Sequence, residues 1–188
     1  MLTSTLQPTL WRTCRVLAND TRLRLLAQLV RKQPQSVSEL AAQCSLTLPV
    51  ASQSLRALEA RGLLRVNRIH RRVEYHIPMR SKAGSLAELI AALVAALRRE
   101  PLPTRTIMKL ATAFTHPTRI QIHRMLQSGP KTEMQLQTAI CLSSLALWRH
   151  LRKLKARGFV RHDDTQRAYQ CGDHPDRIGR ALSKLAAT

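Results

Sequence analysis

Leucine and other apolar residues recur three or four positions apart over most of the chain, the spacing of a helix with one buried face. The pattern occurs twice. Leu55-Arg56-Ala57-Leu58-Glu59-Ala60-Arg61-Gly62-Leu63-Leu64 returns as Leu151-Arg152-Lys153-Leu154-Lys155-Ala156-Arg157-Gly158-Phe159-Val160, an offset of 151 − 55 = 96 residues. In each copy leucines line one side, Arg and Lys fill the others, and a glycine suited to the left-handed end conformation stops the helix. Two apolar residues then open an extended segment.

In the first half, residues 1–8 read as a loose start. A helix is predicted over 9–18, with Leu10, Cys14 and Leu17 inward. The next, over 20–32, has Asn19 as cap and Leu23, Leu26, Leu29 and Val30 inward. Pro34 prevents continuation. Ser36-Val37-Ser38-Glu39 is a capping box, serine accepting from the third helical amide and glutamate reaching back; its helix runs through Gln43. Thr47 is the expected cap of a helix over 48–61, where Pro49 is tolerated because first-turn amides lack helical partners. Strands follow at 64–66 and 73–77 around a basic hairpin tip at 67–72. After a polar break at 80–84, Ser85-Leu86-Ala87-Glu88 reads as another capping box, opening a helix over 86–99 that is apolar nearly all round and so buried on more than one side. Pro101 and Pro103 mark the boundary between a unit over 1–100, with 85–99 as its linking helix, and a unit over 101–188.

The second half repeats the order: a helix over 104–115, then His116-Pro117-Thr118-Arg119 opening another, as Asn19-Asp20-Thr21-Arg22 does at an offset of 97. Thr132-Glu133-Met134-Gln135 matches the Ser36 box, and Ser143 caps a helix over 144–157. Strands at 159–161 and 167–171 flank Asp163-Asp164-Thr165, and Asp173 is the expected cap of a last helix with Ile178, Leu182 and Leu185 inward.

In this order of elements the chain resembles the ArsR/SmtB-like winged helix-turn-helix transcription regulators. The residues that bear the likeness are Leu17-Ala18-Asn19-Asp20-Thr21-Arg22-Leu23-Arg24-Leu25-Leu26, Ser36-Val37-Ser38-Glu39-Leu40-Ala41, the stretch 46–64 and Val73-Glu74-Tyr75. In the second half they are His116-Pro117-Thr118-Arg119 and Leu142-Ser143-Ser144-Leu145-Ala146-Leu147-Trp148-Arg149-His150-Leu151. The resemblance implies a mainly α fold with small β-wings, in two tandem winged helix-turn-helix domains. The family pairs as homodimers through its first and last helices, which implies an intramolecular pseudo-dimer here, alone or as a homodimer of it.

Charge sharpens this picture. The 188 residues hold 31 Lys and Arg against 11 Asp and Glu, a formal net charge of +20. The excess is even, 16 − 6 = +10 over 1–100 and 15 − 5 = +10 over 101–188, so two basic bodies are implied rather than a basic tail. The partner expected is a polyanion, double-stranded DNA ahead of membrane. The four cysteines form no CxxC pair, and the longest apolar run, 86–97, is shorter than the roughly 20 residues of a membrane span. A cytoplasmic, nucleoid-associated protein is the expectation.

In a helix-turn-helix the second helix enters the major groove. With Leu147, Leu151 and Leu154 inward, Leu145, Arg149 and Arg152 turn outward, flanked by Trp148 and Lys153. With Ala51, Leu55 and Leu58 inward, Pro49, Gln53 and Arg56 turn outward. Thr47, Ser52 and Ser143 complete the candidate DNA contacts of 48–61 and 144–157. Gln53 and Arg149 align, and Gln suits adenine as Arg suits guanine, so the units would read different half-sites in successive grooves. Arg68, Arg71, Arg72, Arg161 and Arg167 are wing candidates for phosphate or minor-groove contact. Pro49, Leu145 and Trp148 depart from the family's small polar groove face, and Trp148 would suit a sugar or a partner protein.

The paired cysteines with which many relatives sense metals are missing before the turn, which reads Glu39-Leu40-Ala41-Ala42-Gln43-Cys44. Cys171 and His174 are too few for a closed zinc site. No metal, cofactor or enzymatic chemistry is expected: there is no phosphate-binding glycine loop, HExxH or nucleophile elbow. The competing reading is a tandem winged-helix adaptor that binds proteins within a larger complex.

Overall fold

The computed structural model describes residues 9–69, 72–78, 84–101 and 103–188. The expectations for 1–8, for 80–83 and for Arg71 lie outside them. In the first half, α1 (Leu10–Leu17) and α2 (Asp20–Arg31) are followed by β1 (Gln35–Ser36), α3 (Val37–Gln43), α4 (Leu48–Glu59), the hairpin β2 (Arg65–Ile69) and β3 (Arg72–His76), and α5 (Ser85–Leu97). The second half runs α6 (Thr104–Ala111), a 3-10 turn (Thr112–Phe114), α7 (Pro117–Gln127), β4 (Lys131–Thr132), α8 (Glu133–Ile140), α9 (Ser144–Lys155), β5 (Val160–Asp163), β6 (Ala168–Cys171) and α10 (Arg177–Ala187). The two halves share one order of helices and strands, and each folds a three-stranded antiparallel sheet, β1-β3-β2 and β4-β6-β5.

The short strands β1 and β4 escape the sequence pattern. They are two residues long and pair with distant partners, Gln35 with Tyr75 and Lys131 with Tyr169. Gln35 is buried, its amide donating to the carbonyls of Gln28 (3.1 Å) and Lys32 (2.6 Å).

Local chemistry explains most boundaries. Asn19 accepts from the Arg22 amide, and both capping boxes, Ser36 with Glu39 and Thr132 with Gln135, are complete. Helices α4 and α9 end two residues earlier than expected, at Glu59 and Lys155 rather than 61 and 157. Each closes in a Schellman turn: Leu63 N donates to Leu58 O and Gly62 N to Glu59 O, as Phe159 N does to Leu154 O and Gly158 N to Lys155 O. Gly62 (φ 69°) and Gly158 (φ 79°) take the left-handed position.

Four expectations are corrected. Thr47 makes no side-chain cap, whereas Ser143 accepts from Ala146 N; Pro49 removes one of the amides a cap would take. Ser85 lies inside α5, which starts one residue earlier than 86 and ends at Leu97; its capping box is not made, and Glu88 pairs instead with Lys184. Helix α6 stops at Ala111 and tightens into the 3-10 turn instead of running to Thr115. Asp176, not Asp173, caps α10, accepting from Ile178 N (2.7 Å) and Gly179 N (3.3 Å). The Asp176 amide is held by His174 Nδ1 at 3.1 Å, which keeps Asp173 out of the helix.

The core joins both halves. Helix α5 buries Leu89, Ile90, Ala92, Leu93, Val94 and Leu97 and packs against α2 on one side and α10 on the other. Helix α1 packs on α6 and its 3-10 turn. The last helices of the halves therefore meet, as do the first. Glu88 and Lys184 face each other at 184 − 88 = 96, the repeat offset itself. An exposed pair like this stabilises little; its value is as a marker of how the halves are related. Each fully buried leucine is worth about 1.5–3 kcal/mol.

Both phenylalanines of the chain lie in the second half, in one aromatic cluster. Phe114 meets Phe159 edge-on at 4.7 Å and His123 at 5.2 Å, and Phe159 lies 4.9 Å from His174. His123 is fully buried. Its Nε2 lies 3.3 Å from Ser183 Oγ, and its Nδ1 has no hydrogen-bond partner. Burial pushes its pKa down from 6.5 to about 4. Below pH 6.5 the unfolded chain takes up a proton that the folded chain refuses until about pH 4. Stability from this site is therefore complete above pH 6.5 and falls on acidification through that window, by about 3 kcal/mol. Urea midpoints at pH 7 and pH 4.5 check this: the acid loss should shrink markedly in His123→Gln. An equal loss in both proteins would remove His123 as the cause.

Candidate nucleic-acid interface

The two halves build their short helix, turn and following helix in the same way. After α3 and α8 the chain turns through a left-handed residue, Ser45 (φ 53°) and Cys141 (φ 56°), 96 positions apart. Neither is glycine, so each turn carries roughly 1–2 kcal/mol of backbone strain. Leu46 N donating to Ala41 O and Leu142 N donating to Gln137 O close the two turns alike. In the first half Arg24 braces the turn, donating to Cys44 O at 2.9 Å.

The turns aim α4 and α9 outward. Ala51, Ser54, Leu55 and Leu58 anchor α4 in the core, and Leu147, Leu151 and Leu154 anchor α9. Packing fixes each helix about its axis, which leaves Thr47, Pro49, Gln53 and Arg56 exposed on one and Ser143, Leu145, Trp148, Arg149 and Arg152 on the other; Ser52 is half-buried. These form five aligned pairs at the repeat offset: 47 and 143, 49 and 145, 52 and 148, 53 and 149, 56 and 152. The expected outward sets are thus brought together on one face of each helix.

Lys153 is exposed on the flank of that face next to Arg149, and partial burial together with the nearby Arg119 and Arg157 guanidinium groups lowers its pKa. The sequence pattern missed exposed apolar residues at these surfaces: Leu48 and Val50 on α4 and Met134 on α8, the last 74% exposed. A helical wheel puts Leu48 on the face of the buried Leu55, so its exposure comes from its place in the first turn of α4. Trp148 is 47% exposed, and Arg152 lies over its ring at 4.8 Å. A cation held over an indole face is pre-positioned for a flat or anionic partner.

The wings differ. Strand β2 runs through Ile69, so the first hairpin keeps its ladder beyond the expected end at 66, with Asn67 opposite Glu74 and Arg68 opposite Val73. Arg68 is exposed; Arg72 lies in β3. The second hairpin turns on Asp163, whose Oδ1 accepts from Thr165 N and Gln166 N, with Arg167 left-handed at φ 48°. Arg161 and Arg167 are both exposed. Asp164 pairs with His162 at 2.7 Å. The first tip, 67–72, has three arginines and no acid, while 161–167 has two arginines and two aspartates, 2 − 2 = 0. By sequence the first tip therefore carries the greater positive charge.

Among the described residues no three His, Cys, Asp or Glu side chains come together as a metal site, and no helix is long and apolar enough to cross a membrane. A helix-turn-helix domain model matches residues 17–67, from the end of α1 into β2. No curated protein matches the chain. The chain contains a helix-turn-helix domain, a module of DNA-binding regulators.

Proposed function

We propose that this chain is a transcription regulator of the ArsR/SmtB-like kind. Its two winged helix-turn-helix units form a pseudo-dimer within one polypeptide and act on chromosomal DNA in the cytoplasm. The observation that supports it best is the set of five aligned positions on α4 and α9, each exposed or half-exposed and each helix following a matching left-handed turn. The meeting of α5 with α10 and of α1 with α6 supports the pseudo-dimer, because a two-fold relation brings equivalent elements together. The opposite charges of Glu88 and Lys184 favour this pairing over self-association of either unit, where like charges would face each other.

In this reading the units divide the work. The first offers Gln53 and Arg56 to base edges and a basic wing to the backbone. The second offers Arg149 and Arg152, with Ser143 at the helix start, and a neutral wing. Arginine forks to guanine and glutamine to adenine give the halves different preferences.

The test is anisotropy with duplexes selected from genomic fragments, titrated with salt. A regulator that neutralises Z phosphates loses affinity with a log–log slope of about −0.9Z. Arg149→Ala should weaken the selected site by about 1–3 kcal/mol and relax sequence preference at one position, without shifting the melting temperature. An affinity that ignores both sequence and salt would overturn the DNA reading. It would favour the second reading, a protein-binding adaptor, which the exposed Met134, Leu145 and Trp148 of the second half would suit.

A further inference from the structure

A cluster beside the proposed groove-reading face, sharing only Lys153 with it, lies where the start of α7 meets the C-terminal half of α9. His116 and Arg119 come from the head of α7; His150, Lys153 and Arg157 come from one flank of α9; Arg15 reaches across from α1. The imidazoles of His116 and His150 lie 4.8 Å apart. Three guanidinium groups are pinned to the single turn between α6 and α7. Arg157 Nε donates to Thr112 Oγ1 (2.6 Å), Arg119 donates to Thr115 Oγ1 (2.8 Å) and to Ala113 O, and Arg15 Nε donates to Thr115 O (3.3 Å).

Among the described residues no carboxylate is among the charges acting on this group. Burial and cationic neighbours, Arg119 and Arg15 for His116 and His116, Arg119 and Lys153 for His150, disfavour the protonated imidazoles. Arg119, 7% exposed, is opposed by burial and by Arg157, and the neighbouring Cys14, kept a neutral thiol by its own burial, supplies no counter-charge. Holding so many positive groups together without a counter-charge is unfavourable, and a bound anion would add an attraction to each of them that offsets this repulsion. Among the described residues the Lys153 ammonium and the His150 ring make no hydrogen bond, so donors remain free at the open side. The positive end of α7 adds to the same potential.

We infer that this basic socket between α7 and α9 is a binding site for a phosphate-class oxyanion, with Lys153 and His150 as its free donors and Arg119, Arg157 and Arg15 as its fixed wall. It is particular to the second half. Arg22 and Arg61 stand at the positions of Arg119 and Arg157, but His116, His150 and Lys153 are replaced there by Asn19, Ser54 and Ala57. A bound anion would tie the reading helix α9 to α7 and, through Arg15, to the other half. It would also offset positive charge beside Arg149 and Arg152. The ligand is thus placed to adjust how the two halves present their helices, and the site stands whether or not α9 reads bases.

The test uses the full chain and inorganic pyrophosphate, with NMR of the histidine imidazoles and sodium chloride at matched ionic strength as control. The expected result is a saturable shift of His116 and His150, with both pKa values raised, while His76 and His162 hardly move. Lys153→Ala should weaken pyrophosphate about tenfold, as loss of one charge-assisted hydrogen bond does, and Lys153→Arg should largely restore it. A second arm adds duplex DNA. The same imidazole shifts, displaced by pyrophosphate, would identify the anion as a backbone phosphate; no shift with DNA would leave a free phosphate compound as the ligand. Absence of saturation, equal shifts in all histidines, or an unchanged affinity in Lys153→Ala would overturn the site.

Discussion

Phe159→Ala is expected to lower stability by about 3–5 kcal/mol, the largest loss of any single substitution considered for this chain. Phe159 is fully buried and sits directly after the Schellman turn that ends α9. Its ring is packed on Phe114 and His174, with His123 at 6.3 Å. Alanine would leave a cavity that neither Phe114 nor His174 can close. His174 is held at both ring nitrogens, by Arg157 O at 3.1 Å and by the Asp176 amide. Nor can it swing across: Gly179 packs so closely on its imidazole that a Cβ there would lie 2.1 Å from Nδ1. The aligned residue in the first half is Leu63, so the aromatic packing has no counterpart there. A urea midpoint shifted down at unchanged m-value is the expected measurement. A loss under about 1 kcal/mol would mean that the cluster repacks and that α10 is less firmly docked than its capping implies.

Leu151→Ala should cost about 2–5 kcal/mol through the cavity it leaves. Leu151 is 2% exposed in the middle of α9, where that helix packs on α7. On the proposed function the effect reaches DNA binding, because the same contact fixes the rotation of α9 and so the aim of Arg149 and Arg152. DNA affinity should therefore fall with stability in Leu151→Ala. Leu145→Ala, at a residue 57% exposed, should leave stability within about 0.5 kcal/mol. Comparable melting curves for the two variants would show that the register of α9 is wrong and that the outward set has been misassigned.

These variants separate what could be read along the chain from what could not. The inward leucines of α4 and α9 were legible because a 3.6-residue repeat leaves one choice of buried face. The left-handed glycines were legible because few other residues adopt that conformation cheaply. Caps were read less well where two candidates competed. Asp173 and Asp176 are equal as sequence signals, and the hydrogen bond from the Asp176 amide to His174 decides between them. Ser85 and Glu88 have the spacing of a capping box, but Lys184, distant in sequence, takes the carboxylate.

At the candidate site the outward residues Gln53, Arg56, Arg149 and Arg152 were recoverable from helical phase alone. The flanking place of Lys153 was legible too, but its nearness to Arg119 was not, because Arg119 arrives from another helix. The cluster around His116 and His150 left only a weak trace, three basic or titratable residues at 150, 153 and 157 along one flank.

The sequence by itself determined the duplicated order of elements, the buried faces of the helices, the helix-stopping glycines and the even excess of positive charge. All of these follow from periodicity, backbone preference and counting, which are local or additive. Only the tertiary structure decided that α5 meets α10, that two-residue strands complete the sheets, and that six basic or titratable groups gather with no acid among the described residues acting on them. Those outcomes depend on pairs of residues far apart in the chain, whose proximity is fixed by packing and has no local signature.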